Sequence, residues 1–475
     1  MNETHVCIVY RAILSSFKTA IGRFIFFKKK KKEKKKKKKE EGLFSIMDSL
    51  NEEVDSLNEE GSSLLVVGSM TASEAFLYGR SLPKRAGLLQ CTANVCQNIL
   101  GTGGLGMPAV FANAALGGGI FALLVIAAVA SGTLLVLGWL TFVLDGRNIQ
   151  DLITRTLGKR AAAVSRVLVL GFMWGASVLL LQIMGSNLSQ LVMLSNVSAW
   201  YTSKDFVLSM LALFPLFPLS LLPSFERLSY FSGFGVVLVL YAFGFIVVEG
   251  AVFLSSNAPS VTVDWGFSVS LQFFLAFPTI IFSYMTHVSI VPMVAELERP
   301  TLLRVTLVVS FSLLLTTVLY LLVGVLGYLR SGSEAALFTN FLDFYPQHLP
   351  AAIAARACTV LQMVLGFPIG VMVGRMIFQQ LLFKSRQWSF ASNCLFSFLW
   401  IGSALIVATF VQKISYVLVF VGSSSPMAFV FIFPSAMLAK SFSSGWKYWV
   451  TRLICVVLSL TGVVFGVTAI VANFL

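Results

Sequence analysis

The sequence predicts an all-α polytopic membrane protein. Of its 475 residues, 57% are hydrophobic and only 12% are charged, whereas soluble globular domains carry about 25% charged residues. From about residue 88 onward, long apolar runs alternate with short polar links. A run of about 20 apolar residues is long enough to cross the hydrocarbon core of a bilayer as a helix. These observations place the chain among integral membrane proteins, with the lipid bilayer as its surroundings.

Eleven apolar runs are long enough to span a membrane. They cover residues 88–112, 117–144, 161–192, 206–223, 228–255, 267–292, 301–329, 351–381, 390–411, 414–439 and 449–473. Because the links between them are short, we predict a single transmembrane transporter domain over residues 86–475. Residues 1–85 are polar and are predicted to form a disordered cytoplasmic tail.

The tail contains a lysine-rich tract, Lys28 to Glu41. Residues 1–46 hold 14 of the 35 Lys and Arg and 4 of the 21 Asp and Glu, and so contribute +10 of the net charge of +14. Three interpretations are open. The tract attracts anionic lipid, it is a solvated tail, or residues 1–46 are not translated in the native protein and synthesis starts at Met47.

The basic residues of the links predict the orientation. With the tail in the cytoplasm, 17 of the Lys and Arg after residue 46 lie on the cytoplasmic side and only Lys204, Arg330, Arg356 and Lys413 lie outside. Cytoplasmic links are enriched in Lys and Arg, so we expect a cytoplasmic N-terminus and a C-terminus on the outer or lumenal side. The plasma membrane and the membrane of an acidic organelle both fit.

The first apolar run contains the stretch NILGTGGLGMPAVFANA, Asn98 to Ala114. Gly and Pro destabilise a helix interior by about 1 and 3 kcal/mol relative to Ala. We therefore expect a non-helical joint over Gly101–Pro108, which the bilayer tolerates only where protein or a water-filled cavity receives the freed backbone groups. Such joints bind ligands in transporters; close helix packing through small residues is the alternative.

The sixth run, five runs later, is interrupted in a similar way. Two prolines bracket a polar cluster in FPTIIFSYMTHVSIVP, Phe277 to Pro292. The cluster includes His287, whose ionisable ring marks it as a candidate for proton coupling; a simple hydrogen bond to a neighbouring helix is the alternative. Glu249, in the fifth run, is the second candidate for proton coupling, with a solvated carboxylate at a helix end as the alternative.

These stretches resemble the amino acid/auxin permease family, and in particular its neutral amino acid transporter branch. The first-run motif and FSYMTHVSIVPMVAELERP are similar to the first and sixth helices of that family. RACTVLQMVLGFPIGVMVGR and VFVGSSSPMAFVFIFPSAM resemble its eighth and tenth helices. The four motifs occur in the same order, and the resemblance covers roughly residues 85–475.

The resemblance implies eleven transmembrane helices with a LeuT-type inverted repeat, helices 1–5 and 6–10, plus one extra helix. It implies a permease for amino acids that works by alternating access. The substrate carboxylate would meet the backbone amides of Gly103, Gly104 and Leu105, and its amine the carbonyls near Asn98 and Ser283. Thr102, Ser283 and Thr286 are the side chains expected nearby.

Two departures bear on the coupling ion. Sodium-coupled members of the family place an Asn where this chain has Gln97, and a hydroxyl where it has Val364 or Gly366. Since sodium is a hard cation that needs oxygen ligands, we expect proton-coupled symport or facilitated transport. No carboxylate lies in the predicted middle of any run, which favours neutral L-amino acids as substrates.

Other functions are less well matched. The chain lacks HExxH, GxSxG and nucleotide-loop motifs, has only three histidines, and is predicted not to be an enzyme. Its six cysteines are scattered, so no disulfide or metal site is implied. No cofactor and no nucleic-acid partner is expected. An amino acid sensor built on a transporter fold is the alternative function, which binding without flux would distinguish.

Overall fold

The structure is a computed structural model of the chain. It describes residues 87–144, 146, 148–194, 199–222, 225–256, 261–267, 271–298, 301–382, 388–411, 413–441 and 446–474. The predicted tail, residues 1–85, and its lysine-rich tract lie outside the described residues.

The described chain is built from helices of very different lengths. In chain order they are α1 Leu88–Ile99, α2 Thr102–Leu105, α3 Met107–Ala114, α4 Leu116–Leu144, α5 Ile149–Thr156, α6 Lys159–Met193, α7 Lys204–Leu211, α8 Phe217–Ser220, α9 Phe225–Ser255, α10 Leu271–Ser283, α11 His287–Glu296, α12 Leu302–Ser331, α13 Pro350–Leu382, α14 Phe390–Phe410, α15 Ile414–Ser423, α16 Ser425–Met427, α17 Phe433–Ser441 and α18 Trp446–Phe474.

Within the described part of the chain, nine helices are long and apolar enough to cross a membrane. They correspond to nine of the eleven predicted runs. The other two runs form interrupted helices: the first is α1, α2 and α3, and the fourth is α7 and α8 with a π-helical turn, Ala212–Leu216, between them. The π turn contains Pro215, whose ring cannot fit into a regular α-helical turn.

A second π-helical turn, Ala428–Ile432, lies between α16 and α17. The preceding break is at Ser424, whose dihedral angles (φ −91°, ψ −97°) are not helical. The tenth predicted run is therefore also interrupted, although it is long enough to count as one candidate span.

The first run packs against several of the long helices. α1 packs against α12 and α9, and α3 packs against α12 and α10. On the other side of α9, helix α13 runs along both α6 and α9. Helix α12 thus contacts the first run on both sides of the break in that run.

The segment between α12 and α13 begins at a glycine with a positive φ angle. Gly332 ends α12 with a φ of +58°, a conformation that glycine adopts without strain. Two 3-10 helices follow, Gly332–Leu337 and Phe341–Phe344, and the first packs on α3. We call residues 332–349 the α12–α13 loop.

Candidate functional site

The first run breaks at two residues. Leu100 (φ −70°, ψ 94°) and Gly101 (φ −147°, ψ −152°) are extended, and α2 starts at Thr102. The expected joint, Gly101–Pro108, was too long: residues 102–105 and 107–114 are helical, and Gly106 between them has helical dihedral angles. Pro108 lies in the first turn of α3, where a missing N–H leaves no partner unsatisfied.

The glycines after the break allow a close approach of neighbouring helices. A Cβ atom added to Gly103 would overlap the side chain of Ser283, and one added to Gly104 would overlap the ring of Phe243. The Cβ added to Gly104 would also lie 2.8 Å from a ring carbon of Tyr320. These glycines therefore allow close helix packing. They bring α2 into contact with Ser283, which borders the second break.

The second break separates α10 from α11. Helix α10 ends at Ser283, and α11 begins at His287. The Ser283 hydroxyl donates to the Thr279 carbonyl (2.6 Å), and the Tyr284 hydroxyl lies 2.7 Å from the Thr317 hydroxyl on α12. Thr286 is 2% exposed, and its hydroxyl oxygen has no hydrogen-bond partner among the described residues.

The two breaks meet at Tyr320 of α12. The Tyr320 hydroxyl donates to the carbonyl of Ile99 (2.6 Å) and lies 3.5 Å from the carbonyl of Ser283. Ile99 and Ser283 are the last residues of α1 and α10. The structure therefore brings the carbonyl ends of both interrupted helices to one hydroxyl group. Carbonyl ends of helices carry partial negative charge and favour cations.

Five of the other expected site residues are buried at the breaks, whereas Asn98 is exposed. Thr102, Gly103, Gly104, Leu105 and Ser283 are buried at the breaks. The Gly104 N–H donates to the Gly101 carbonyl (3.2 Å), so in this conformation that amide is engaged. The side chain of Asn98 is exposed, so the end of α1 contributes backbone rather than the Asn98 side chain.

His287 is fully buried at the start of α11. Its Nε2 atom lies 2.9 Å from the hydroxyl of Thr133 on α4. The Thr133 hydroxyl also lies 2.9 Å from the Val129 carbonyl and 3.2 Å from the Ala130 carbonyl. We assign its hydrogen to these carbonyls and the ring hydrogen to Nε2. The Nδ1 atom is then an acceptor, and it has no partner among the described residues.

Glu249 lies in a different part of the bundle. Its carboxylate forms an ion pair with Arg330 (3.2 Å), and the two side chains are 24% and 20% exposed. Arg330 also lies over the ring of Tyr345, 5.1 Å from its centroid. Ten residues separate Tyr320 from Arg330 on α12, or about 15 Å along the helix axis. The structure thus separates Glu249 from the two breaks.

A small cavity opens beside the breaks. It has a volume of about 140 Å³ and is lined by α3, α10, α15 and the α12–α13 loop. Its polar lining comes from Asn113, Thr279, Thr339 and Ser415. Gly106 also borders it, with the Thr339 carbonyl 3.3 Å from where a Gly106 Cβ would lie. The cavity provides room for a small polar molecule next to α2 and α10.

Sequence reasoning missed Tyr320 and Phe243. A phenol in the otherwise apolar stretch VLYLLV of α12 is a signal that was present, because a buried Tyr hydroxyl needs a partner. Phe243 carries no such signal. Its position against Gly104 depends on how α9 packs on the first run.

Arg356, one of the four basic residues expected on the outer side, is completely buried within the protein. Its guanidinium group donates to the carbonyls of Leu342 (2.9 Å), Tyr345 (2.7 Å) and Pro346 (3.4 Å). Arg356 therefore fastens the α12–α13 loop to α13.

Comparison with known proteins identifies the class to which this geometry belongs. The family model described as transmembrane amino acid transporter protein matches residues 84–472. The chain belongs to this family. The match includes the breaks in the first and sixth runs, the α12–α13 loop and all nine candidate spans of the described residues, so the family resemblance seen in the sequence is confirmed.

Similar proteins carry names of the same kind. The chain is 24% identical over 387 residues to the rat sodium-coupled neutral amino acid transporter 7, covering 75% of this chain and 79% of the rat protein. It is 27% identical over 358 residues to the Xenopus laevis protein of that name, with coverages of 71% and 77%. It is 26% identical over 366 residues to mouse solute carrier family 38 member 8, with coverages of 72% and 82%.

Proposed function

We propose that this member of the transmembrane amino acid transporter family carries neutral L-amino acids across a membrane by alternating access. The observation that carries the proposal is the convergence of the Ile99 and Ser283 carbonyls beside the Gly103 and Gly104 backbone. A zwitterionic ligand needs an anion-binding and a cation-binding element close together. Exposed N–H groups and carbonyl ends of interrupted helices supply these two elements.

The proposed arrangement of the ligand follows from these elements. The carboxylate would bind the amides of Gly103, Gly104 and Leu105, with the Gly104 N–H released from the Gly101 carbonyl that it contacts in this conformation. The ammonium would bind the carbonyl ends near Asn98 and Ser283. Thr102 and Thr286 would lie beside the ligand; the unpartnered hydroxyl of Thr286 supports its inclusion. The side chains at the breaks are uncharged or neutral in the form assigned above, which supports a substrate with an uncharged side chain.

We also propose the finer architecture. The nine candidate spans together with the interrupted first and fourth runs would make eleven crossings, with helices 1–5 and 6–10 as an inverted LeuT-type repeat. Breaks in the first and sixth runs, five runs apart, support this repeat. In this proposal residues 86–475 form the transporter domain, residues 1–85 form a cytoplasmic tail, and the protein resides in the plasma membrane or an acidic organelle.

For the driving force we propose protons or facilitated transport rather than sodium, although the similar rat and Xenopus laevis proteins are named sodium-coupled. Gln97 of α1 and Gln362 of α13 both lie near Gly235 of α9, each within 4 Å of where a Gly235 Cβ would lie. Val364 and Gly366, nearby on α13, bring no hydroxyl oxygen. His287, with its unpartnered Nδ1 atom, is the proton site we favour over Glu249, which is already paired with Arg330.

The test is uptake of a radiolabelled panel of amino acids by purified protein in liposomes, in sodium-free buffer with and without an inward proton gradient. Uptake of neutral amino acids that the gradient stimulates would establish proton coupling, and uptake that ignores the gradient would establish facilitation. Uptake that begins only when sodium is added would contradict this coupling proposal. Saturable binding with no flux under any gradient would contradict transport itself.

A variant tests the role of His287. We expect His287→Gln, which retains an N–H donor for Thr133 but cannot take up a proton, to lose the stimulation by the proton gradient while still exchanging labelled for unlabelled amino acid. His348→Gln is the matched control, since His348 is exposed in the α12–α13 loop. Gradient-stimulated uptake that persists in His287→Gln would remove His287 from the coupling mechanism.

A further inference from the structure

Two carbonyl groups compete for one hydroxyl at the centre of the bundle. Tyr320 is fully buried, and its hydroxyl lies 2.6 Å from the Ile99 carbonyl and 3.5 Å from the Ser283 carbonyl. A tyrosine hydroxyl has one hydrogen to donate. It therefore serves the Ile99 carbonyl well and leaves the Ser283 carbonyl with a long contact at best.

An ammonium group fits this pair of carbonyls better than the hydroxyl does. It has three hydrogens to donate, so it can bond to both carbonyls at once, and its positive charge is favoured at the carbonyl ends of helices. We infer that Tyr320 is a positioning residue that holds the ammonium site closed: its hydroxyl hydrogen occupies the Ile99 carbonyl and turns away when the ammonium of the amino acid binds the Ile99 and Ser283 carbonyls. This inference rests on the proposed function.

The surroundings of Tyr320 hold its ring in place, so the ligand displaces only the hydroxyl hydrogen, which turns away from the Ile99 carbonyl while the oxygen stays where it is. The ring packs edge-to-face with Phe243 (centroids 6.2 Å apart) and with Tyr284 (5.6 Å). A third side is closed by Gly104, where an added Cβ would lie 2.8 Å from a Tyr320 ring carbon. The Tyr284 hydroxyl is bonded to Thr317, so the nearest phenol is not a substitute donor for the two carbonyls.

The variant Tyr320→Phe tests this inference because it retains the ring and removes only the hydroxyl. Tyr328→Phe is a matched control on the same helix. Tyr328 is 2% exposed, and its hydroxyl accepts a hydrogen bond from the Asp264 N–H (3.0 Å), so this control also removes one buried hydrogen bond from α12. The readout is the Kd of purified protein for L-alanine, L-leucine and L-glutamine.

We expect Tyr320→Phe to bind these amino acids about two- to tenfold more tightly than the wild type, since the ligand no longer has to break a hydrogen bond whose net contribution corresponds to that factor. Propionate, 4-methylpentanoate and 4-carbamoylbutanoate, the same acids without the amino group, should compete no better against the variant than against the wild type. Tyr328→Phe should change neither set of values.

The results that would overturn this inference differ from the result that would overturn the proposed function. Weaker binding of amino acids to Tyr320→Phe would make the hydroxyl a direct ligand and overturn the inference. An equal gain for the acids that lack an amino group would overturn it as well, since the effect would then not depend on the ammonium. If the wild type binds none of the three amino acids and transports none of the panel, the proposed function fails, and this inference fails with it.

A second measurement covers a variant that is unstable when purified alone. In that case Tyr320→Phe is purified in saturating L-leucine or in 4-methylpentanoate. We expect the amino acid to restore a folded, monodisperse protein and the acid without an amino group to fail, because only the ammonium can replace the lost donor. Equal recovery in both, or recovery in neither, would show that the hydroxyl has a purely structural role.

Discussion

At the scale of single residues, the first run is shaped by two glycines that leave no space for a side chain. Gly103 faces Ser283, and Gly104 faces Phe243 and Tyr320. Tyr320 in turn links α12 to the ends of α1 and α10 through one hydroxyl. In a core packed as densely as a crystal, the addition of one methyl group is felt by all of these neighbours.

Gly104→Ala tests this packing. Adding a Cβ here forces the rings of Phe243 and Tyr320 to move, and overpacking of this kind costs about 1–3 kcal/mol. We expect amino acid uptake at least about tenfold below the wild type, at equal amounts of protein in the membrane. Gly244→Ala is the control, since a Cβ at Gly244 on α9 meets no atom within 4 Å. Uptake by Gly104→Ala equal to that of the control would contradict a site at this break.

The residues of this site differ in how far the sequence could predict them. Gly103, Gly104 and Ser283 could be predicted because a break in a membrane helix is visible in the sequence as glycine, proline and polar residues. Tyr320 and Phe243 could not be placed, because their contacts join residues far apart in the chain, Tyr320 being 221 positions after Ile99. Such contacts depend on which helices become neighbours.

At the scale of elements, the α12–α13 loop is held by a half-buried polar cluster around Asp343 and by the buried Arg356. Asp343 accepts hydrogen bonds from Ser186 (2.7 Å), Gln190 (2.5 Å) and Asn340 (3.0 Å). Arg356 binds three carbonyls of the same loop. These contacts tie the α12–α13 loop to α6 and α13. Thr339 of this loop lines the cavity beside the breaks.

The loop predicts a pH dependence of stability. Burial raises the pKa of Asp343, although the hydrogen bonds from Ser186 and Gln190 and the positive charge of Arg356 oppose the rise. A proton therefore binds more tightly to the folded than to the unfolded protein. The contribution of the protonated Asp343 to the free energy of unfolding is fully present below the ordinary pKa of about 3.8. It is lost as the pH rises through the higher pKa that Asp343 has in the folded protein.

We therefore expect the melting temperature of the wild type, relative to that of Asp343→Asn, to increase as the pH is lowered from 7 to 4. Asp205→Asn serves as the control, because Asp205 is exposed on α7 and should give a difference that varies less with pH. A difference between the wild type and Asp343→Asn that grows toward neutral pH instead would contradict burial as the dominant influence on Asp343.

The helices themselves were predictable to within a few residues where they are uninterrupted. The joint in the first run was not: eight residues, Gly101–Pro108, were expected to be non-helical, and only Leu100 and Gly101 are extended. Inside a membrane each unpaired backbone group costs several kcal/mol, whereas a glycine costs a helix about 1 kcal/mol. The helix therefore resumes as soon as the chain has turned.

At the scale of the whole molecule, the number of crossings decides where the two ends of the chain lie. The eleven proposed crossings place the termini on opposite sides, with the N-terminus in the cytoplasm. We expect an epitope tag at the C-terminus to be reached by antibody or protease from the outer or lumenal side, and a tag at the N-terminus only after the membrane is opened. Two tags accessible from the same side would require an even number of crossings.

The two π-helical turns, Ala212–Leu216 and Ala428–Ile432, have a consequence for comparing relatives across evolution. A π turn bonds each residue to the fifth one along, and so holds about one residue more than an α turn. A relative that lacks that residue can close the turn as a regular helix and keep the flanking faces in place. We therefore expect single-residue gaps between relatives to concentrate at these two turns, and the remaining helices to align without interruption.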